Sequence, residues 1–508
     1  MKHIAGLVCF DMDGTLIDCE PLVEMAKEKG VFEEVKAITE KAMNGEMDFS
    51  VAVEKRVEML KGLPCRRLEA LAEEMPIMPG ARELVSFLKE KGFVTGILTG
   101  GFGIVAKKVS EKLGGDFYIA NDVEIKSGML TGKIALRITD NKGEIIECLK
   151  KTYNPPITIA VGDGFTDIPM LKAADIGIAF MPKPAVKETI LVVIEEKNLM
   201  KVADIIKKRN YTIIVDSSVH ESAGRLLRML GEVEVTDTGN MSERQMKEAE
   251  ILVIRTATKV DKKFMDKAEN LRILASATTG LNHIDAAYAQ EKGIEVVSAQ
   301  GENADSVADY VFRMIFHATD DVLYTSALLK NGKNFSEIKK SNERHELCSK
   351  SLGIIGYGRI GKKVAERAAA FGMEVKAHDP YAPEARNTLE EALGCDIVTL
   401  HVNLTGETRD MIDACAISKM QRNSVLINTS RGEVVDERSL AQALKERRIR
   451  MAILDVFQND GKYSVLYELE NTIVTPHIAG NTAEATERAA KRIFKEILGK
   501  ILKMEGTA

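Results

Sequence analysis

Short apolar runs alternate with longer segments of helical periodicity over most of the chain. Apolar runs at 4–10, 157–164 and 175–180 predict buried strands of a parallel sheet. Segments between them, such as 81–92, place apolar residues three and four positions apart, as amphipathic helices do. Strands that are apolar throughout are buried on both faces, so the pattern predicts an α/β fold with helices covering each sheet.

The pattern also predicts how the chain is divided. Residues 20–75 mix charged and apolar residues at helical spacing, which predicts a small helical subdomain. A polar junction near residue 209 leads into a new strand, and a further sheet begins at SLGIIGYGRIG. Since a domain contains about 150 residues, the 508 residues predict three or four domains. No internal repeat relates the two halves, so they are expected to be unrelated units joined end to end.

Composition narrows the class of protein. The net charge of −6 argues against a nucleic-acid-binding surface, and no apolar run reaches the length of a membrane span. The seven cysteines show neither zinc-ligand spacing nor a disulfide framework, which favours a reducing compartment. We therefore expect a cytoplasmic protein that binds neither nucleic acid nor membranes.

Two acids follow the first predicted strand, in VCFDMDGT. Residues i and i+2 of a strand point to the same face, so Asp11 and Asp13 project together beyond the carboxyl edge of the sheet. Gly14 lets the chain turn away there. Two neighbouring carboxylates repel each other, and a hard cation such as Mg²⁺ relieves that repulsion.

Further candidates follow other predicted strands. Asp163 ends one of them, and Asp167 lies about one helical turn later. Thr99 and Gly100 end another strand and offer donors to phosphate oxygens, and Lys142 supplies a positive charge. A DG pair alone is usually a turn, but this set predicts a magnesium site that also holds a phosphate. A carboxylate in such a site can attack phosphorus and form an aspartyl-phosphate.

The motifs DMDGT, TGG, Lys142 and GDGFTD occur in this order, and with them residues 1–209 resemble the phosphoserine phosphatases of the haloacid dehalogenase superfamily. The resemblance extends to a helical cap at about 18–76 and implies a Rossmann-like domain beneath it. It implies that Asp11 is the nucleophile and Asp13 the general acid and base.

The same resemblance implies the binding residues of this half. Magnesium would be held by Asp11, the backbone carbonyl of Asp13, and Asp163, with Asp167 behind them. Glu20 would bind the ammonium of serine and Arg56 its carboxylate. The remaining implied substrate contacts are Met43, Phe49, Thr99, Gly100, Lys142 and Thr166. Relatives often carry asparagine at the position of Thr166.

A dinucleotide fingerprint opens the last sheet. The strand of SLGIIGYGRIG ends in three spaced glycines, a helix follows, and Asp379 comes after the next strand. Such glycines let the pyrophosphate approach the helix N-terminus, and the acid favours NAD over NADP because it repels a 2′-phosphate. The predicted NAD contacts are Gly356, Gly358, Arg359, Ile360, Gly361 and Asp379.

Three reactive residues each follow a later apolar strand: Arg431, Asp460 and His477. Hydride transfer at an alcohol carbon needs a proton partner, which histidine supplies near neutral pH. A carboxylate beside the ring orients it, and arginine binds a substrate carboxylate in a bidentate manner. The sequence therefore predicts an oxidoreductase site for a small hydroxy acid.

Residues 210–508 resemble the D-2-hydroxyacid dehydrogenases, most nearly their phosphoglycerate dehydrogenase branch, in IRTATKV, ATTGLNHID, GYGRIG, TSRGEVVDE, LDVF and TPHIAG. The resemblance implies a flavodoxin-like substrate domain (210–302 and 477–508), an NAD-binding Rossmann domain (303–476) and a homodimer formed through this half. It implies that His477 is the acid–base and that Arg431 holds the substrate. Further implied contacts are Asp455 for the nicotinamide carboxamide, and Arg255, Thr279, Gly280 and Asn303 for the substrate.

Together the resemblances imply a bifunctional enzyme of serine biosynthesis. One half would hydrolyse O-phospho-L-serine with Mg²⁺, and the other would oxidise 3-phospho-D-glycerate with NAD. Two departures weaken the second assignment: Asp460 replaces the usual glutamate, and Ala257 replaces an arginine of many phosphoglycerate dehydrogenases. The alternative is a broader phosphomonoesterase fused to a glyoxylate or hydroxypyruvate reductase. A regulatory protein with inactive sites is disfavoured, because every motif keeps its reactive residue.

Overall fold

The computed structural model describes residues 4–43, 47–319, 322–341, 344–458 and 462–506. The chain divides into two compact units, which are described separately. The first unit comprises Met1–Ser276, Asn282–Val297 and Lys491–Ala508, and the second comprises Ala277–Leu281 and Ser298–Ala490.

The first unit begins with a seven-stranded sheet. Its strands are β1 (Gly6–Phe10), β2 (Phe93–Phe102), β3 (Phe117–Lys126), β4 (Met129–Ala135), β5 (Thr158–Gly162), β6 (Ile176–Phe180) and β7 (Val192–Ile194). Their order is β4-β3-β2-β1-β5-β6-β7. Its helices are α1 (Pro21–Lys29), α2 (Phe32–Met43), α3 (Phe49–Glu58), α4 (Cys65–Glu74), α5 (Ala81–Glu90), α6 (Gly103–Leu113), α7 (Lys142–Tyr153), α8 (Ile168–Ala173), α9 (Pro184–Lys187) and α10 (Lys201–Ile206).

The central strands are buried on both faces, as their apolar sequences predict. Every residue of β1, β5 and β6 is buried, and these strands pair in parallel. The four helices α1 to α4 show that the segment predicted to be helical is helical, and its assignment as a separate subdomain stays a prediction. One pairing differs from the expected parallel sheet, because β3 and β4 are antiparallel. Ser127 and Gly128 join them with φ angles of 51° and 76°, which suit a two-residue hairpin turn.

A second sheet of the first unit follows residue 209. Its strands are β8 (Tyr211–Asp216), β9 (Gly231–Thr236), β10 (Ile251–Ile254), β11 (Ile273–Ser276) and β12 (Glu295–Ser298), in the order β12-β11-β10-β8-β9. Its helices are α11 (Glu221–Leu227), α12 (Glu243–Glu248), α13 (Lys262–Lys267) and α14 (Ala286–Glu291). The strand β8 is the new strand predicted after the polar junction.

The second unit contains a six-stranded parallel sheet. Its strands are β13 (Ser351–Ile355), β14 (Glu374–His378), β15 (Ile397–Leu400), β16 (Val425–Asn428), β17 (Met451–Leu454) and β18 (Thr472–Val474), in the order β14-β13-β15-β16-β17-β18. The helices that follow β12 in the chain are α15 (Ala304–Thr319), α16 (Val322–Lys330), α17 (Phe335–Ser341), α18 (Arg359–Ala370), α19 (Leu389–Leu393), α20 (Ala414–Ser418), α21 (Glu437–Lys445) and α22 (Ala483–Met504).

Alternate residues of this sheet enter two separate cores. Ile354 packs with residues of α15 and α18, whereas Ile355 packs with residues of α19, α20 and α21. Helices therefore cover both faces, and the predicted α/β fold class is confirmed. In the part of the chain that the structure describes, no helix combines the length and apolar character needed to cross a membrane.

Candidate functional sites

The first site lies at the carboxyl edge of the seven-stranded sheet. Asp11 follows β1 and Asp163 follows β5, and these neighbouring strands pair Phe10 with Val161. The paired register brings the two acids side by side. One carboxylate oxygen from each of Asp11, Asp163 and Asp167 lies within 4.8 Å of the others. The three predicted acids of two strand ends thus form one cluster.

Lys142 joins two acids of this cluster by hydrogen bonds. It is 2% exposed at the start of α7, and its Nζ donates to Asp11 Oδ1 and to Asp167 Oδ1, each at 2.6 Å. Burial alone lowers the pKa of Lys142, but the two carboxylates outweigh that effect and raise the pKa above its ordinary value. The ammonium therefore stays charged.

The negative charge of the buried carboxylates exceeds the positive charge of the Lys142 ammonium. Burial, with repulsion from Asp167, raises the pKa of Asp11 to about 7 although Lys142 opposes the shift. Burial and Asp167 likewise raise the pKa of Asp163 to about 6. Burial also raises the pKa of Asp13, whose Oδ1 is buried without a hydrogen-bond partner. The site thus concentrates more negative charge than its own donors balance.

This arrangement fits a magnesium ion. Mg²⁺ prefers carboxylate oxygens, and Asp11 and Asp163 offer them at the strand ends. Asp167 is more fully engaged by protein donors: its Oδ1 accepts from Lys142, and its Oδ2 accepts the backbone N–H groups of Asp163 and Gly164 at 3.1 and 2.9 Å. Asp167 is therefore suited to support the ligands from behind.

The last residues of β2 contribute the predicted phosphate-binding loop, which comprises Thr99, Gly100 and Gly101. Thr99 is 1% exposed, and its Oγ1 accepts the backbone N–H of Gly101 at 2.9 Å. A Cβ on Gly101 would lie 3.1 Å from both Asp13 Oδ2 and Thr99 Oγ1, so the loop packs closely against the acid. Gly100 and Thr166 lie at the same edge and are half-buried.

The cap supplies the other predicted substrate residues. Glu20 is exposed directly before α1, and Arg56 is half-buried in α3, where its Nε donates to the carbonyl of Ala52 at 3.2 Å. Burial lowers the pKa of Arg56, while the charges of Glu20 and Asp13 act against that shift. The side chains of Met43 and Phe49 lie outside the described part of the structure.

The second site begins with the glycines after β13. Gly356 has a φ of 95°, and a Cβ there would lie 2.6 Å from the carbonyl group of His401. A Cβ on Gly361 would lie 2.2 Å from the carbonyl oxygen of Gly356, whereas Gly358 faces open space at the N-cap of α18. The backbone therefore forms a cradle before a helix N-terminus, and it fits the pyrophosphate of NAD.

The other predicted NAD contacts surround this cradle. The Asp379 carboxylate accepts the backbone N–H groups of Tyr357 at 2.7 Å and Tyr381 at 2.9 Å. The guanidinium of Arg359 lies against Gly301, and Ile360 is partly buried in the core beside α15. Asp379 is thus fixed beside the fingerprint loop.

Two glycine substitutions separate the folding role of this loop from its binding role. We expect Gly356→Ala to lower the melting temperature, because the Cβ meets the His401 carbonyl and the backbone adopts a strained φ. We expect Gly358→Ala to keep the melting temperature but weaken NAD binding at least about tenfold, because its Cβ enters the space for the pyrophosphate. Calorimetric melting and NAD titration measure both, and wild-type NAD affinity in Gly358→Ala would contradict this assignment.

His477 lies in a loop that Asp455 organises. His477 has a φ of 54° and donates its backbone N–H to the carbonyl of Asp455 at 2.9 Å. The Asp455 carboxylate is buried and accepts Thr475 Oγ1 at 2.6 Å and the backbone N–H groups of Ile478 and Ala479, each at 2.8 Å. Asp455 therefore fixes the loop that presents the histidine, a role that the sequence did not indicate. Its contact with a nicotinamide stays a prediction.

The remaining predicted substrate residues fall in both units. In the second unit, the Arg431 guanidinium lies against Gly280, and its Nη1 donates to the carbonyl of Ser430 at 2.7 Å. Thr279 Oγ1 donates to Asn303 Oδ1 at 3.3 Å. Arg255 belongs to the first unit, where its Nη1 donates to the carbonyl of Ser218 at 3.4 Å. Asp460 lies outside the described residues.

Two family models match separate parts of the chain. A family model described as haloacid dehalogenase-like hydrolase matches residues 6–175. A model described as D-isomer specific 2-hydroxyacid dehydrogenase, NAD binding domain, matches residues 312–479. The phosphoserine phosphatase of Methanocaldococcus jannaschii is 41% identical over 211 residues, which are 41% of this chain and 100% of that protein.

Two relatives match the C-terminal part. The hydroxypyruvate reductase of Thermotoga maritima is 36% identical over 304 residues, covering 56% of this chain and 98% of that protein. The D-3-phosphoglycerate dehydrogenase of M. jannaschii is 38% identical over 314 residues. That match covers 58% of this chain, and the chain spans only 58% of that relative's length.

The chain thus belongs to two families, with a haloacid dehalogenase-like hydrolase followed by a D-isomer specific 2-hydroxyacid dehydrogenase. Both predicted enzyme classes, hydrolase and oxidoreductase, are confirmed. The predicted cofactors, Mg²⁺ for the first site and NAD for the second, agree with the families and with the residues at each site.

Proposed function

We propose that this chain catalyses two reactions: Mg²⁺-dependent hydrolysis of O-phospho-L-serine, and NAD-dependent oxidation of 3-phospho-D-glycerate to 3-phosphohydroxypyruvate. The first activity belongs to residues 1–209, with the cap at about 18–76. The second belongs to 210–508, with a substrate domain of 210–302 and 477–508 and an NAD domain of 303–476. The observation that carries the proposal is the buried cluster of Asp11, Lys142 and Asp167 in a chain that also forms the dinucleotide cradle at Gly356.

In the phosphatase reaction, Asp11 attacks the phosphorus and forms an aspartyl-phosphate. Asp13 donates a proton to the leaving serine oxygen. It then takes a proton from the water that attacks the phosphorus of the aspartyl-phosphate, which releases inorganic phosphate and restores the Asp11 carboxylate. Lys142 and the Thr99 loop bind the phosphoryl oxygens, while Glu20 and Arg56 bind the ammonium and carboxylate of serine. Bound Mg²⁺, held by Asp11, the backbone of Asp13, and Asp163, supplies the positive charge that offsets repulsion between carboxylate and phosphate.

In the dehydrogenase reaction, Arg431 binds the substrate carboxylate and His477 takes the proton of the C2 hydroxyl. Asp460 is the proposed partner of His477, and Thr279, Gly280, Arg255 and Asn303 are proposed substrate contacts. Bound NAD supplies the hydride acceptor. The Asp455 carboxylate holds the loop of His477 in place through the backbone N–H groups of Ile478 and Ala479. This role does not depend on a contact between Asp455 and the cofactor.

The assay that tests this proposal follows each product on one purified chain. Phosphate release from O-phospho-L-serine should stop with EDTA and return with Mg²⁺, while NADH formation from 3-phospho-D-glycerate should be insensitive to EDTA. Absence of phosphate release with Mg²⁺ present would overturn the first assignment. Absence of NADH formation from 3-phospho-D-glycerate would overturn the second.

A second candidate for the C-terminal activity is hydroxypyruvate reduction. Ala257 is exposed at the position where an arginine would add a phosphate-binding cation, and the T. maritima hydroxypyruvate reductase matches over 98% of its length. The candidates differ in the preferred substrate: the first predicts a higher kcat/KM for 3-phosphohydroxypyruvate than for hydroxypyruvate. The reverse order would favour the hydroxypyruvate reductase. If the N-terminal half also does not prefer phosphoserine, the broader phosphomonoesterase would be favoured for that half.

We also propose that the protein forms a homodimer through its dehydrogenase half and works in the cytoplasm. The helix α16 exposes Val322 by 64% and Leu323 by 77%, and adjacent large apolar side chains on a surface favour association. All seven cysteines are free, which suits a reducing compartment. We expect Leu323→Glu to convert the dimer into a monomer in light scattering, whereas Lys330→Glu on the same helix should not. An unchanged mass for Leu323→Glu would place the interface elsewhere.

A further inference from the structure

A buried amide near the first site makes its hydrogen bonds to backbone groups. Asn121 lies inside β3 and is 0% exposed. Asparagine is unfavourable inside strands, and a buried amide is costly unless it is hydrogen-bonded. Its environment therefore has to satisfy the whole amide group.

The neighbouring backbone meets that requirement on both sides. Asn121 Nδ2 donates to the carbonyl of Gly100 and to the carbonyl of Ile138, each at 3.0 Å. Asn121 Oδ1 accepts the backbone N–H groups of Arg137 at 2.7 Å and Ile138 at 2.8 Å. The two donors and the acceptor of the amide are all engaged.

These four hydrogen bonds join two separate pieces of the site. Gly100 follows Thr99 in the phosphate-binding loop, and Ile138 lies in the segment that leads to Lys142 at the start of α7. Both pieces have to meet the same phosphoryl group, and an error of about 1 Å in such alignment can reduce a rate by about 100-fold. The strand β3 already pairs with β2 at Phe102 and Asn121, and the amide adds side-chain hydrogen bonds that join the two pieces.

We propose that Asn121 is a positioning residue that sets the distance between the phosphate-binding loop and Lys142; this inference rests on the proposed phosphatase function. An aspartate at this position lacks the two donors and would place carboxylate oxygen against the carbonyls of Gly100 and Ile138. A leucine keeps the approximate volume but removes all four hydrogen bonds. The four hydrogen bonds of the amide go to backbone groups and none goes to Asp11, so we infer that its effect acts through the two backbone segments.

The test compares Asn121→Leu and Asn121→Asp with Thr95→Val in the purified full chain. Thr95 is buried near the opposite end of β2 and its Oγ1 donates to Asp116 Oδ2 at 3.2 Å, so Thr95→Val removes a buried hydrogen bond far from the loop. We expect both Asn121 variants to lose about 10- to 100-fold in kcat for phosphoserine, with a smaller change in KM. Thr95→Val should stay within about twofold of the wild type.

Two probes distinguish positioning from general loosening. Inhibition by orthovanadate, which occupies the phosphoryl site, should weaken in parallel with kcat. Inhibition by L-serine, which Glu20 and Arg56 bind, should stay near the wild-type value. If the kcat loss is no larger than that of Thr95→Val, or if serine and vanadate inhibition weaken equally, the proposal is wrong. A wild-type chain without phosphatase activity would instead overturn the proposed function.

Hydrogen exchange of the wild-type chain tests these hydrogen bonds without any substitution that could disturb the fold. The amides of Arg137 and Ile138 donate to Asn121 Oδ1, so they should exchange slowly although Arg137 itself is exposed. Exchange at the rate of an open loop would contradict the proposed hydrogen bonds.

A different set of contacts, inside the first unit, carries a second inference. Arg209 is 6% exposed, and its guanidinium donates to the carbonyls of Asp204, Ile205 and Lys207 at the end of α10. Its Nε and Nη2 also donate to the two carboxylate oxygens of Glu505 at 3.0 and 2.8 Å. All five N–H donors of the side chain are thus satisfied, and Arg209 lowers the pKa of Glu505.

The last turns of α22 bury side chains over a wide part of the helix circumference. At about 100° per residue, the buried positions span roughly 180° of the helix, whereas one apolar face needs little more than 100°. These positions are Ile493, Phe494, Ile497, Leu498, Ile501 and Leu502. Lys495 Nζ donates to the carbonyl of Ala174 beyond α8, and Lys500 pairs with Glu295 of β12 at 2.6 Å. The helix therefore contacts segments on either side of residue 209.

We infer that the Arg209–Glu505 pair fastens the junction between the two enzymes to the C-terminal helix. Limited trypsin digestion tests this at Lys207, Lys208 and Arg209, which form an otherwise favourable cleavage sequence. Glu505→Ala should speed cleavage there at least about tenfold, whereas Glu484→Ala, exposed on the same helix, should not. Rapid cleavage at this sequence in the wild type, or no acceleration in Glu505→Ala, would contradict the inference.

Discussion

Asp11→Asn should lower phosphate release from O-phospho-L-serine at least about 10³-fold while leaving NADH formation unchanged. The amide keeps the size of the carboxylate but cannot attack phosphorus. Its neighbours Lys142 and Asp167 form a buried ion pair at 2.6 Å that does not require Asp11, so the cluster should still fold. Phosphate release measured under saturating Mg²⁺ gives the size of the loss.

A matched change of another carboxylate in the same half controls for general charge effects. Asp116→Asn alters an acid at the start of the sheet, where Asp116 accepts the backbone N–H of Thr95 far from the cluster. It should retain phosphatase activity within a few fold. Substantial phosphate release by Asp11→Asn would remove Asp11 as the nucleophile.

His477→Asn should lower kcat of the dehydrogenase by about 10²- to 10⁴-fold and leave phosphate release unchanged. Asparagine tolerates the left-handed backbone that His477 adopts, so the loss should reflect the missing acid–base group and not a misfolded loop. NAD binding, measured by fluorescence titration, should stay close to the wild-type value.

A second variant, Asp455→Asn, shows what damage to the loop would look like. Asp455→Asn weakens the hydrogen bonds to Ile478 and Ala479, so it should shift the whole loop and reduce both kcat and thermal stability. If His477→Asn retains wild-type kcat, another group carries the proton.

The sequence predicted the strand ends well because they depend on local patterns. Apolar runs followed by an acid, a threonine or a glycine cluster locate Asp11, Thr99 and Gly356 directly, since parallel strands bring their carboxyl ends to one edge. The sequence analysis did not predict the hairpin of β3 and β4. The dipeptide Ser127-Gly128 between two strand-forming segments is nevertheless a recognisable turn signal.

Contacts of residues that belong to no recognisable motif could not be predicted from the sequence pattern. Nothing local marks Asn121 as the bridge between Gly100 and Ile138, although an asparagine within an otherwise strand-forming segment is a weak signal of a buried polar role. The pair Arg209–Glu505 joins residues 296 positions apart, and only the folded chain brings them together. Similarly, LDVF identified Asp455 without indicating that it organises the loop of His477.

The central claim is that one chain carries two independent active sites, and a two-by-two assay tests it most directly. Wild type, Asp11→Asn, His477→Asn and the double variant are purified identically and assayed for phosphate release from phosphoserine and NADH formation from 3-phospho-D-glycerate. We predict that the wild type has both activities, each single variant loses only one, and the double variant has neither. Loss of both activities in a single variant, or persistence of either activity in the double variant, would contradict the account.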